Sequence, residues 1–234
     1  MVDGLATQLL ATVVIWSASG LLALTIAIAL ATASISRIHA LSRPADALIL
    51  LTRGVPTSLL VVGAGLAALS HKAPGWLPNP YPGTSDSMAL LAWAVTLALA
   101  FGSAGHLAVI FRTGYRSLGA ARLAQITVLG LAARHRMALV ARESAAASLA
   151  PTGARMVHHL HNTAFAALFP VADLFGWVQE RAYETFEVTR YAAIGAATYV
   201  FLSLLIWAAT RGLEHRLGGR PQTARTLVVT GRSS

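Results

Sequence analysis

The sequence predicts an all-α, polytopic membrane protein of about five spans, on three observations. Charged residues make up 12% of the 234 and hydrophobic residues 56%, against roughly 25% charged in an ordinary soluble domain. Several charge-free stretches are long enough to cross a bilayer. The basic residues that remain gather in alternate loops. Mean hydropathy is +0.62.

The spans follow from the charge-free runs. Gly4–Ser36 contains no ionisable residue, Ser87–Phe111 contains only His106, and Tyr191–Thr210 carries no charge. Each is near or above the ~20 residues that cross a hydrocarbon core of about 30 Å. Gly54–His71 crosses if Arg53 snorkels toward the headgroups. The expected spans are residues 8–34, 47–70, 88–111, 139–162 and 189–211, within a membrane domain over residues 1–217. The first is read as a retained helix: a signal peptide has a basic start and a short apolar core, whereas this chain begins with Asp3 and no Lys or Arg.

The connecting segments have distinct characters. HKAPGWLPNPYPGTSDS holds four prolines and suits a rigid loop with Trp76 and Tyr81 at headgroup level. Phe165–Trp177 is apolar, is broken by Pro170, and suits a short re-entrant or surface helix. Residues 218–234, GGRPQTARTLVVTGRSS, have turn formers and no helical period, so a loose tail is expected there.

Charge placement predicts topology. Of 18 Lys and Arg, fourteen fall on one set of loops: Arg37, Arg43 and Arg53; Arg112, Arg116, Arg122, Arg134, Arg136 and Arg142; and Arg211, Arg216, Arg220, Arg225 and Arg232. The opposite loops hold only Lys72 and Arg181. By the positive-inside rule the fourteen face the cytoplasm, the N-terminus lies outside and the tail inside. That needs an odd number of spans, and five fits. The net charge of +9 is therefore membrane topology rather than a nucleic-acid surface.

The fourth span is the most polar. Arg155, His158, His159 and Asn162 recur at i, i+3, i+4 and i+7, on one helical face. Polar groups at that depth are expensive and mark a pathway or a protein contact. Three readings stand: donors lining a solvated substrate path, a helix–helix contact, or a metal site shared by His158 and His161. The metal reading lacks a nearby carboxylate or cysteine to complete a shell. The segment 112–138 is the second candidate. Leu123, Ile126, Val128 and Leu131 lie among small residues between Arg122 and Arg134. A helix docking in a partner's groove would need that pattern; a helix resting on anionic lipid would also show it.

Several chemistries are excluded or weakened. With no cysteine there is no disulfide or thiol chemistry. There is no H-E-x-x-H, and no G-x-x-x-x-G-K-[ST], so this chain does not hydrolyse ATP by that route. Gly102-Ser103-Ala104-Gly105-His106 lacks the G-x-S-x-G spacing, and its small residues more simply let helices approach. No cofactor is expected.

The motifs together carry a family likeness. Arg53-Gly54-Val55-Pro56 matches an Arg-Gly-Thr-Pro element. Arg112-Thr113-Gly114-Tyr115-Arg116-Ser117 matches Arg-Gly-Gly-x-x-Ser. Ala124-Gln125-Ile126 and Gly130 fall on a loop running Glu-Ala-Ala, three residues, Gly. Without a gap, Leu149-Ala150-Pro151-Thr152-Gly153 falls on Leu-Pro-Pro-x-Gly, His161-Asn162-Thr163-Ala164-Phe165 on Lys-Asp-Thr-Ser-Leu, and Val171-Ala172-Asp173-Leu174 on Val-x-Glu-Leu. Phe186-Glu187-Val188 completes the set. Over about residues 45–216 the chain resembles the membrane permease subunits of bacterial polar amino-acid ABC importers, the type I importer fold. It departs where the loop glutamate is Ala124, one proline is Ala150 and the Lys-Asp pair is His161-Asn162, which suits a divergent subunit.

The resemblance implies a permease of the bacterial cytoplasmic (inner) membrane that is not itself an enzyme. It implies partners: ABC ATPase subunits, a second permease subunit, an extracytoplasmic substrate-binding protein and membrane lipid, with a polar amino acid or similar zwitterion as substrate. Residues 112–138 become the coupling loop, with Ala124, Gln125, Ile126, Gly130 and Arg134 meeting the ATPase. Gly130 would end or kink the coupling helix, where a side chain would clash or need an unfavourable backbone angle. Arg155, His158, His159, Asn162 and Thr163 would border the translocation path. The other reading is an ATP-independent secondary transporter or channel. It expects inverted repeats and intramembrane carboxylates, and only Glu143 and Glu187 lie at span edges.

Overall fold

The computed structural model describes residues 2–217, with side chains from Gly4 onward; the expected tail, 218–234, lies outside the described residues. Among the described residues the secondary structure is entirely helical: α1 (Val2–Ser34), α2 (His39–Gly54), α3 (Thr57–Leu69), α4 (Ala89–Arg116), α5 (Gly119–Val128), α6 (Ala133–Asn162), α7 (Leu174–Thr185) and α8 (Val188–Leu217). Two short 3₁₀ turns, Asp86–Met88 and Thr163–Leu168, lead into α4 and out of α6.

The helix α4 is the central post. It packs against α1, α2, α3 and α6, and its sequence explains why. Ala98, Ala100, Gly102, Ser103, Ala104, Gly105 and Ala108 are all buried, and such small residues let neighbouring backbones come close where lipid offers no hydrophobic drive. The partners fit the gaps: Thr57 sits over Gly102, and Thr52 over Gly105. Along α1, residues Ala11, Ile15, Ser19, Ala23, Ala27 and Ala31 recur every fourth position and are all buried. That stripe lies on α4. Leu10, Leu21 and Ile28, on the other faces, are about half or more exposed.

Three helical segments are long and apolar enough to cross a membrane: Gly4–Ser34, Asp86–Arg116 and Val188–Leu217. The expected span at 47–70 is not one straight helix. The helices α2 and α3 meet at 94°, because Pro56 has no N–H to continue α2 and drives Val55 into an extended conformation (φ −92°, ψ 125°). The fourth expected span is a single helix, α6, that begins at Ala133 rather than 139 and runs through Pro151. Its 30 residues reach about 45 Å, but it is too polar, with three histidines and Asn162 beside Arg155 in its last turns, to count among the apolar spans. A count of five spans is thus not established.

Two other expectations change. The expected short helix over 165–177 is instead a 3₁₀ turn ending at Leu168, an extended break around Phe169, and then α7. The Asp173 carboxylate starts α7 by accepting from the N–H groups of Phe175 (2.9 Å) and Gly176 (3.1 Å). In the outer loop Trp76 is 80% exposed, as a headgroup anchor should be. Tyr81 is not an anchor: it is buried, with its hydroxyl on Thr96. The last helix, α8, is peripheral, lying on α6 and α7 with Phe201, Leu204 and Trp207 facing outward.

Candidate functional site

The polar half of α6 does not act as one face. His159 is completely buried and sits between α1 and α4: its Nε2 is 2.8 Å from Ser19 Oγ and its Nδ1 is 2.8 Å from Ser103 Oγ. The Ser19 hydroxyl already donates to Ile15 O at 2.6 Å, so its proton is committed and Nε2–H of His159 must donate to it. Nδ1 then accepts from Ser103. Ser103 in turn accepts from Arg155 Nη2 at 3.3 Å. The result is a one-way chain, Arg155 to Ser103 to His159 to Ser19 to Ile15 O, that satisfies a neutral imidazole inside three helices. Trp16 Nε1 adds a bond to Met156 O at 3.1 Å.

The same network assigns the other expected residues. Thr163 is fully buried and donates to Leu160 O at 2.7 Å; Asn162 is buried as well. Of the residues expected to border a path, His159, Asn162 and Thr163 are enclosed by the chain's own packing in this structure. Arg155 and His158 stay available. Arg155 is half-buried, donates from Nη2 to Gly102 O at 2.9 Å, and leaves Nε buried without a partner. His158 is exposed. His161 bonds Ser203 Oγ at 3.2 Å and meets Tyr199 edge-on. Among the described residues no group of three or more His, Cys, Asp or Glu is placed to hold a metal ion.

Two residues outside the expected set join Arg155 and His158. Arg53, exposed at the end of α2, lays its stem over Gly105, where an added Cβ would stand 3.1 Å from Arg53 Cγ. His106 follows Gly105 directly on α4. An arginine at the centre of a membrane helix costs ~2.5–3.5 kcal/mol on insertion scales, so such groups need protein, water or a ligand. The sequence held both residues, but only the packing of α2 and α6 on α4 puts them together.

The second candidate region lies at the arginine-rich end. The glycines that bracket α5, Gly119 (φ 69°) and Gly130 (φ 64°), both adopt the left-handed conformation. Gly130 thus ends the helix as expected. Nothing lies within 4 Å of a Cβ built there, so the constraint is the backbone angle and not a clash within the chain. Ile126 is buried, while Ala124, Gln125 and Arg134 are exposed, as are Val128 (85%) and Leu129 (60%). Arg122 fixes α5 to α6 through a fork on Glu143, at 2.5 and 3.0 Å. Ser34, Asp46 and Arg112 tie α1, α2 and α4 nearby, with Arg112 Nη1 2.7 Å from Asp46 Oδ1. A groove of about 970 Å³ opens here between α1, α4, α5 and α6; none of Arg155, His158, His159, Asn162 or Thr163 lines it.

No protein-family model matches the chain, and no curated protein matches it by sequence. Solved structures match it closely in shape. A chain from the crystal structure of an amino acid ABC transporter with histidines superposes with a TM-score of 0.75 at 18% identity, covering 92% of this chain and 94% of that one. Two crystal forms of the MetNI methionine ABC transporter in inward-facing conformations give 0.68 and 0.65, at 13% and 14% identity. The first covers 88% of this chain and 93% of its own, the second 92% and 95%. The chain therefore shares its fold with chains of these amino acid and methionine ABC transporter structures.

Proposed function

We propose that this chain forms the translocation path of an ATP-driven importer for a polar amino acid or similar small zwitterion. It resides in the bacterial cytoplasmic membrane with the arginine-rich end inside. ATP hydrolysis belongs to partner ATPase subunits, and a second permease subunit and an extracytoplasmic binding protein complete the machine. Membrane lipid covers the remaining apolar flanks. The substrate class follows from the motifs read in the sequence and from the neighbouring structures, which are of amino acid and methionine transporters.

The observation that carries the coupling role is α5. It is a ten-residue helix stopped by left-handed glycines at both ends and forked to α6 by Arg122, with Val128 and Leu129 exposed at its tip. An isolated helix of this length is marginal in water, so two stops and an ion pair that fix its pose suit a surface that another protein grips. Force from an ATPase on α5 would pass through Arg122 and Glu143 into α6, the helix that bears Arg155.

The test is co-purification. With the tagged chain expressed beside its ATPase, Val128→Asp with Leu129→Asp should release the ATPase while the chain remains inserted. Retention of an active ATPase by that double variant would sink the coupling role.

A further inference from the structure

Two arginines converge on the middle of α4 beside two histidines, and among the described residues neither arginine has an ion-pair partner. Arg53 crosses Gly105 from α2, Arg155 reaches Gly102 and Ser103 from α6, His106 follows Gly105 on α4, and His158 stands one turn beyond Arg155. Among the described residues the ion pairs involve Asp46, Glu143, Glu184, Glu187 and Glu214, all with other arginines. Two guanidinium cations held against α4 without a counter-charge call for one supplied from outside the chain.

The break between α2 and α3 adds to the same place. The chain turns 94° at Val55–Pro56, and Thr57, the first residue of α3, stands directly over Gly102. Helix N-termini carry N–H groups with no carbonyl partner and the positive end of the dipole, and discontinuous spans use them to meet carboxylates. The same proline leaves the Thr52 carbonyl without its N–H donor four residues on, which is an acceptor suited to an ammonium group. Around Gly54 there is open space: an added Cβ would meet nothing within 4 Å.

Resting on the reading of the chain as an amino-acid importer subunit, we propose that Arg53, His106, Arg155 and His158 form a selectivity site for a dicarboxylic amino acid. Two guanidinium groups, Arg53 from α2 and Arg155 from α6, take one carboxylate each: Arg53 by a forked hydrogen bond, and Arg155 through Nη1, because its Nη2 is held by Gly102 O and Ser103 Oγ. The helix break accepts the α-ammonium. A cationic amino acid meets like charge at both guanidinium groups and is turned away, which is discrimination by repulsion as much as by fit.

The experiment uses the assembled complex in nanodiscs without the external binding protein, so that binding reports on the permease itself. Radiolabelled L-aspartate and L-glutamate are the probes, with L-glutamine and L-lysine as comparators. We expect aspartate or glutamate to bind at least tenfold more tightly than lysine. Arg53→Met should weaken that binding tenfold or more, and Arg53→Glu should invert the preference toward lysine. Arg53 is exposed and makes no ion pair among the described residues, so these variants should assemble; Arg155→Met is a second variant whose assembly is checked by ATPase retention. Lysine or glutamine bound as tightly as aspartate, with Arg53→Met indifferent, would overturn the site while leaving the importer reading standing. An assembled, ATP-hydrolysing complex that neither binds nor transports any amino acid would overturn the importer reading, and the site with it.

Discussion

Replacing His159 by phenylalanine separates a packing role from a substrate role. The ring keeps its place in the gap between α1, α4 and α6, but both hydrogen bonds, to Ser19 and Ser103, are lost. Interhelical hydrogen bonds within membranes average about 0.6 kcal/mol and reach about 1.7, so two of them are worth ~1–3 kcal/mol. Neither serine is orphaned outright: Ser19 still donates to Ile15 O, and Ser103 still accepts from Arg155. That places the expected loss near 2 kcal/mol, or about 4–8 °C in thermal midpoint for a chain of this size. The assay is a fluorescence-detected melt of the tagged chain in detergent, run beside transport by the assembled complex. His159→Phe and Ser19→Ala should share most of their cost, with a coupling of about 1 kcal/mol in the double variant. Transport should survive at temperatures below the melt. An unchanged melting curve with abolished transport would refute the buried-strut assignment and return His159 to the substrate path.

Three further outcomes are expected. Gly130→Val forces a β-branched residue into a left-handed conformation at a cost of roughly 1–2 kcal/mol; it should weaken ATPase retention, Gly130→Asn should do so far less, and equal retention in both would remove the need for that backbone angle. Gly105→Leu must displace Thr52 and the Arg53 stem, so it should prevent stable accumulation of the chain, read on a blot of the membrane fraction. Burial pushes the Asp173 carboxyl up from 3.8 to about 7, against the pull of two backbone donors; the unfolded group ionises first as pH rises, so stability should fall from about pH 4 to pH 7 and then level off. Asp173→Asn keeps an N-cap and should flatten that slope in a melt series; a slope unchanged by the substitution would assign it to another group.

Much of the fold was legible because charge-free length is a direct physical requirement of crossing lipid. That rule found α1, α4 and α8 without any knowledge of neighbours. It failed at Pro56, where a run of the right length conceals a right-angled break that the proline itself announces. It also mistimed α6, because Arg134, Arg136 and Arg142 mark where hydrocarbon ends and not where the helix does. The helix α7 was hidden since Leu174, Trp177 and Val178 are followed by Glu180, Arg181 and Glu184, although the Asp173 cap was readable. The candidate site was half legible. Helical periodicity could group Arg155 with His158 and His159, but one residue's difference in azimuth decides between burial and exposure. Only the approach of α1 and α4 makes that decision. Arg53 and His106 belonged to other helices and carried no shared spacing.

The bonds from α1 to α6 also set a schedule for making the protein. Ser19 and His159 are 140 residues apart, as are Trp16 and Met156. At about 5–20 residues per second of synthesis, α1 leaves the ribosome on the order of ten seconds before its partner exists. It can wait in lipid because the Ser19 hydroxyl bonds within its own helix. The histidine that arrives later closes a structure whose first piece was built to be stable alone, so a defect at His159 would surface as a late assembly fault and not as failed insertion of the N-terminal helix.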